Sequence, residues 1–290
     1  MTYALLLVAI VIWGWTFVAS KVCLETMSPL QLVASRFLIG APALYIVARV
    51  RRVSFGCAEL ARPFALGAVV FSAHFLLQTW ALEFTSATNT GWIVAASPLT
   101  IALLAALVLK EPIPPAMRLG LAIATLGIVL LVSRGELASL DWLSSAGDWL
   151  ALVSTLTWAT YTIVTRDLSR TRDPVVVSFA MTLPLATAAL VLPWVLDGWT
   201  PLATLRADVI GALVFLGLGG VAIAQWFWQV GVAKLGAAKA GLFLYIEPLA
   251  TTALAVPFLG ESFGVAAAFG GALVLAGVFV AQRQVGQVLE

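Results

Sequence analysis

The sequence predicts an all-α integral membrane protein, with ten transmembrane helices arranged as two inverted five-helix repeats (5+5). Three observations support this. Among 290 residues, 62% are hydrophobic and 10% charged, with a mean hydropathy of +1.04; charge this sparse cannot coat a soluble globule of that size. The apolar residues gather into runs of about 20, long enough to cross the hydrocarbon core at about 1.5 Å per residue. Residues that mark the first half recur in the second at a nearly constant spacing.

Breaks at charged residues and at proline or glycine bound ten runs, numbered α1 to α10 in chain order: 3–22, 30–48, 63–83, 87–109, 115–133, 147–165, 174–196, 207–233, 238–259 and 263–282. The first lacks a preceding basic segment and is longer than the apolar stretch of a secretory leader, so α1 is expected to be retained as a helix. Tyr3, Trp142, Trp149, Trp194 and Trp199 fall near run ends, where rings anchor at headgroup depth. Within the spans, Pro42, Pro184, Pro193, Gly217, Gly219, Gly220, Gly270 and Gly271 permit bending and close helix approach. The polar gaps reach only about a dozen residues, so no soluble domain is expected.

Loop charge sets the orientation. Alternate loops hold Arg49, Arg51, Arg52 and Arg62, then Lys110 and Arg118, then Arg166, Arg170 and Arg172, then Lys234 and Lys239, with Arg283 after α10. The opposite set holds only Lys21, Arg134 and Arg206. Basic residues favour the cytoplasmic side, so both termini are expected there, in a multi-pass protein of the plasma (inner) membrane. Losing one helix would scramble that alternation, which supports the count. Cys23 and Cys57 then lie on opposite faces, too far apart for a disulfide.

At an offset of 145, Trp13 matches Trp158, Lys21 matches Arg166, and Ser28-Pro29 matches Asp173-Pro174. At 150, Gly91 matches Gly241, Pro98 matches Pro248, Glu111 matches Glu261, Gly120 matches Gly270 and Gly127 matches Gly277. One small insertion in the second half accounts for the change of offset. The units are expected at 1–138 and 139–290, five helices each. An odd number per unit turns the second upside down, the arrangement of alternating-access transporters with a midplane site between the repeats.

The chain resembles the EamA family of the drug/metabolite transporter superfamily. The resemblance rests on the Trp13-Gly-Trp15 start, Ser97-Pro98, Glu247-Pro248, and the Lys110-Glu111-Pro112 and Gly260-Glu261-Ser262 elements closing α4 and α9. It spans both halves. It implies an exporter of amino acids or other small metabolites, with α1–α4 and α6–α9 around the cavity and α5 and α10 packed outside.

Candidate site residues follow from polar and aromatic side chains at helical spacing. α3 holds His74 and Gln78 at i and i+4, on one face; the single histidine reads either as a neutral ring held by a neighbouring helix or as a cavity group. α8, the mate of α3, holds Gln225, Trp228 and Gln229 on one stripe, as links between helices or as ligand contacts. α1 offers Trp13 and Thr16, and α6 offers Trp158 and Tyr161, each pair at i and i+3; tryptophan at mid-span is packing or cavity wall. α4 offers Asn89 and Trp92. Aromatic walls with a few amides suit a ligand that is partly apolar with polar ends.

The sharpest candidate is Glu247, near the bilayer midplane, where charge is costly and usually tied to function. It would bind a substrate ammonium or take up a proton as its exposure changes. The structural alternatives are a bond to a backbone group freed by Pro248, or an ion pair with Arg36 on α2. Its repeat mate is Ser97, and Tyr245 faces Ala95, so the fold alone requires neither Glu247 nor Tyr245. Arg36 reads as paired or as snorkelling along α2. The resemblance places Glu111 and Glu261 away from the cavity centre, which implies structural or gating residues.

The expected function is a secondary transporter exporting amino acids, aromatic or apolar ones given the tryptophans, or related small metabolites. Two alternatives stand beside it: the same fold moving drugs, nucleosides or cationic metabolites, and a membrane scaffold that transports nothing. No nucleotide-binding loop, metal-spaced His/Cys cluster or Ser/His/Asp set is present, which disfavours a primary pump and a hydrolase and implies no cofactor or metal. The expected partners are a small-molecule substrate and the lipid bilayer. No nucleic-acid partner is expected: the net charge of +2 does not point to one, since the basic residues sit in short inter-helix loops rather than in one patch. One copy of the chain is expected to suffice, and proton coupling and facilitated diffusion both stay open.

Overall fold

A computed structural model describes residues 1–108, 115–133, 145–196 and 198–285 of the chain, and these are helical with no strand among them. The helices are α1 Thr2–Leu24, α2 Pro29–Val50, α3 Cys57–Phe84, α4 Ala87–Val108, α5 Pro115–Val132, α6 Ala146–Thr171, α7 Pro174–Val195, α8 Ala207–Leu235, α9 at 237–259 and α10 Val265–Val285. Seven are long and apolar enough to cross a membrane: α1, α2, α3, α4, α7, α8 and α9. The apolar segments of α5 and α10 are shorter, at Arg118–Leu130 and Val265–Gly277. α6 has 26 residues, with Asp148 in its first turn and Arg170 in its last. The closing element Lys110-Glu111-Pro112 lies outside the described residues.

Helix starts are set by local chemistry. Ser28, Ser86, Ser145 and Asp173 cap α2, α4, α6 and α7 with side-chain oxygens on early backbone N–H groups. Pro29 and Pro174 follow two of these caps, where a missing N–H costs nothing. α3 begins six residues before the expected 63, because Glu59 accepts the Gly56 N–H at 2.9 Å and closes an earlier first turn. α6 continues past the expected 165 to Thr171 as a polar end.

Four helices are interrupted, and the interruptions correspond between the halves. α3 widens into a π-helical stretch at Gly67–Phe71, and its mate α8 does so at Phe215–Ala224. α4 breaks between Val94 and Ser97, just before Pro98, and α9 tightens into a 3-10 turn at Leu242–Ile246, just before Pro248. Each proline lacks the N–H that would bond one turn back, so the backbone changes pitch there.

The small residues show the same correspondence. A Cβ on Gly127 of α5 would lie 2.6 Å from the Gly270 carbonyl oxygen of α10, and one on Gly277 of α10 would lie 2.4 Å from the Gly120 carbonyl oxygen of α5. A Cβ on Gly91 would lie 3.0 Å from Thr251 Oγ1, and one on Gly241 would lie 3.4 Å from Ile101 Cδ1. α5 therefore runs antiparallel to α10, and α4 to α9. α1 wedges between α8 and α9, and α6 packs on α3 and α4.

Candidate functional site

α1, α3, α4, α6 and α9 converge on an internal cavity lined by Trp13, Thr16, His74, Phe75, Gln78, Val94, Trp158, Leu244 and Glu247. Its volume is about 30 Å³. A single water needs roughly 10–15 Å³ on this measure, whereas ligand pockets occupy about 300–1,000 Å³. The chamber therefore has space for only a water or two.

Trp13 and Trp158 form its floor, with Trp228 packed behind them. Trp13 meets Trp158 edge-on at 5.2 Å between ring centres, and Trp228 lies 5.6 Å from Trp13 and 5.4 Å from Trp158. The Trp13 Nε1–H donates to the Gly220 carbonyl at 3.1 Å, a group presented by the π-helical stretch of α8. Its repeat mate differs: Trp158 Nε1 is buried without a hydrogen-bond partner among the described residues.

His74 is both held and lining. Its Nδ1 lies 3.0 Å from the Ser154 carbonyl, which can only accept, so Nδ1 carries a proton and donates it there. The ring packs on Trp158 at 4.8 Å. Gln78, one turn further along α3, lines the same cavity, and its amide makes no hydrogen bond among the described residues.

Glu247 is 5% exposed and lines the cavity. Its carboxylate has no hydrogen-bond or ion-pair partner among the described residues, so neither structural alternative, the freed backbone group or Arg36, is realised. The backbone beneath it is fixed, because Thr251 Oγ1 donates at 3.0 Å to the Glu247 carbonyl and to the Gly14 carbonyl. Gly14 lets α1 come this near: a Cβ there would lie 2.7 Å from the Glu247 oxygen. Among the described residues Arg36 has no ion-pair partner, and it does not snorkel: it is 5% exposed beneath Phe75.

The other candidates fall into two groups away from the lining. Tyr161 packs on Trp158 at 4.8 Å, and its hydroxyl takes the amides of both Gln225 and Gln229. Ser169 donates to Gln229 Oε1, and Trp228 is fully buried on the same face. This network braces the tryptophan floor from behind. Asn89, Trp92 and Tyr245 lie elsewhere. Asn89 Nδ2 donates to Asp148 Oδ1 at 2.6 Å, and Trp92 Nε1 donates to Thr252 Oγ1 at 3.1 Å. Both line a separate pocket of about 420 Å³ beside Ser86, Thr88 and Glu261. There Glu261 accepts the Ala87 and Thr88 N–H groups, each at 2.8 Å, and so pins the start of α4 to the α9–α10 connection. Tyr245 packs with Trp92, Ile128 and Val274, against α5 and α10.

Sequence spacing missed Phe75, Val94 and Leu244. Leu244 had a usable signal, since side chains at i and i+3 eclipse in a 3-10 turn and 244 is three before Glu247; Tyr245, two before it, points elsewhere. Phe75 and Val94 are apolar residues in apolar helices and carry no signal.

Membrane-length helices around a small chamber that carries a carboxylate, an imidazole and an amide define a multi-pass membrane protein of the transporter class. The EamA-like transporter family model matches residues 1–133 and again 145–282, and the chain belongs to that family. An "uncharacterized transporter" of Archaeoglobus fulgidus is 26% identical over 287 residues, covering 96% of each chain. A "probable terminal-alkyne amino-acid exporter" of Streptantibioticus cattleyicolor is 30% identical over 281 residues, covering 96% of this chain and 92% of that one. A "probable amino-acid metabolite efflux pump" of Salmonella typhimurium is 25% identical over 288 residues, covering 95% and 93%. A solved crystal structure at 23% identity superposes with a TM-score of 0.72 over 100% of this chain and 98% of the other, a likeness of fold. The protein is a membrane transporter.

Proposed function

We propose that the chain is a secondary transporter exporting amino acids, aromatic or apolar ones included, or related small metabolites, by alternating access around the α1/α3/α4/α6/α9 cavity. The observation that carries this reading is Glu247, a buried carboxylate without a partner among the described residues, beside a floor of tryptophans. A carboxylate suits a substrate ammonium, and indole faces suit an apolar side chain or a cation. Two relatives carry amino-acid export in their names, which fits the same substrate class.

The topology proposed is ten spans in two inverted five-helix units, 1–138 and 139–290, with both termini in the cytoplasm of an inner-membrane protein. The antiparallel mate contacts of α5 with α10 and of α4 with α9 support it. In this scheme the small chamber expands when one set of helices rocks against the other. The π-helical stretches of α3 and α8 and the breaks of α4 and α9 are where the backbone yields. Glu247 binds the ammonium in one orientation and releases it in the other, with a proton taking its place if transport is driven. The cavity lies within one chain, so a monomer suffices.

The test is counterflow in liposomes holding purified protein, using labelled amino acids. Accumulation of at least one neutral amino acid is expected; failure to move or bind any of them overturns the substrate assignment. A second reading, a cationic drug or metabolite as cargo, is favoured by Glu247 having no cationic partner among the described residues. Uptake of organic amines with no competition from amino acids would select it.

A further inference from the structure

Arg36 sits on α2 seven residues from its start, roughly 10 Å along the helix, and is 5% exposed. Its guanidinium carbon lies 4.5 Å from the Phe75 ring centre and 5.3 Å from that of Phe37. Nε and Nη2 are buried without a hydrogen-bond partner among the described residues. No carboxylate there forms an ion pair with it. A guanidinium taken out of water without a partner is strongly disfavoured, and ring faces offset only part of that cost.

Three further features tie this residue to the cavity. Phe75 is part of the cavity wall, so one phenyl ring separates the guanidinium from the chamber. Nε and Nη2 are the two donors on one edge of the guanidinium, the edge that grips both oxygens of a carboxylate at once. At the repeat offset of 145, Arg36 corresponds to Met181, a fully buried methionine of α7, so this position in the fold does not require charge. The same holds for Glu247, whose mate is Ser97. A buried acidic and a buried basic side chain, each without an ion-pair partner among the described residues, therefore sit in opposite halves of the chain, one lining the cavity and the other behind its wall.

We infer that Arg36 is the carboxylate-receiving group of the site. The substrate is a zwitterion whose carboxylate is gripped by Nε and Nη2 when the Phe75 ring turns aside, while Glu247 takes the ammonium. This rests on the amino-acid transporter reading and narrows it to substrates with a free carboxylate. Phe75 then acts as a lid on the anion subsite, closed in the empty form and displaced on loading.

The test compares neutral L-amino acids with their decarboxylated amines in proteoliposome counterflow: phenylalanine with phenethylamine, leucine with isopentylamine, tryptophan with tryptamine. Arg36→Gln should lower uptake of the amino acids by about tenfold or more, the weight of a hydrogen-bonded charge, and leave amine uptake at or above wild type. Equal amino-acid uptake by Arg36→Gln and wild type would overturn the inference. So would an equal loss of both ligand types in a monodisperse variant, which marks a structural role. If Arg36→Gln does not fold, Arg36→Lys carries the test, since it keeps the charge and loses the two-donor edge. KM for the amino acids should rise while that for the amines holds, and equal shifts in both refute it. Wild-type protein that moves amines alone rejects the amino-acid reading itself, an outcome distinct from either.

Discussion

Gly127 of α5 lies against the backbone of Gly270 on α10, close enough that a Cβ at 127 would come within 2.6 Å of the Gly270 carbonyl oxygen. The mate contact, Gly277 on Gly120, repeats it at 2.4 Å. Backbone cannot move aside as a flexible side chain can, so added volume here forces two helices apart. Gly127→Val and Gly277→Val should each destabilise the protein by about 1–3 kcal/mol, the usual cost of overpacking. Gly211→Ala, with nothing within 4 Å of its Cβ position, should be neutral or stabilising by up to about 1 kcal/mol. Thermal melting in detergent orders the three; a Gly127→Val protein as stable as wild type contradicts the packing.

The two mate tryptophans predict unequal responses to the same substitution. Trp13→Phe deletes the donor to the Gly220 carbonyl, whereas Trp158→Phe deletes a donor that has no partner among the described residues. Both lose similar ring area, so the difference reports the hydrogen bond. Trp13→Phe should be the less stable by about 1 kcal/mol. Chemical denaturation measures the gap, and an inverted order would count against the Trp13–Gly220 bond.

Much of this arrangement was legible in the sequence because it depends on spacing. Ser28-Pro29 and Asp173-Pro174 mark helix starts with a cap and a tolerated proline, and both helices begin there. His74 and Gln78 at i and i+4, and Trp13 and Trp158 as mates, line one chamber. Illegible was whatever depends on which neighbour a face meets. The Gln225/Gln229 stripe was visible, but not that a hydroxyl from α6 takes both amides. Nor did anything near Arg36 announce that Phe75, from another helix, would cover it. Tyr245 was singled out for lacking a tyrosine mate, yet asymmetry says nothing of direction, and the 3-10 turn aims Leu244 inward instead.

Accessibility separates the two faces of these helices. In a protein with Cys23→Ala and Cys57→Ser, which removes both native thiols, a cysteine at Gln78 should react with a small water-soluble thiol reagent when the cavity opens, and substrate should slow it. A cysteine at Tyr245, packed with Ile128 and Val274, should not react on that timescale. Mass spectrometry of the labelled protein gives both rates. Substrate protection at 245 and none at 78 would move the site to the other face of α9.

Glu247→Gln tests the centre of the proposal because function and stability should change in opposite senses. If the carboxylate receives a substrate ammonium, replacing it with a neutral amide of the same shape removes a charge-assisted hydrogen bond. Uptake of zwitterionic or cationic substrates should then fall by about tenfold or more. A neutral solute, if carried, should be spared. Without substrate the carboxylate has no partner among the described residues, so the amide relieves the burial of a lone charge and the variant should melt no lower than wild type. A carboxylate serving the fold predicts the reverse, a loss of melting temperature that accounts for the lost uptake. Melting curves and counterflow on one preparation decide between the two, because a functional role at this position, unlike a structural one, separates activity from stability.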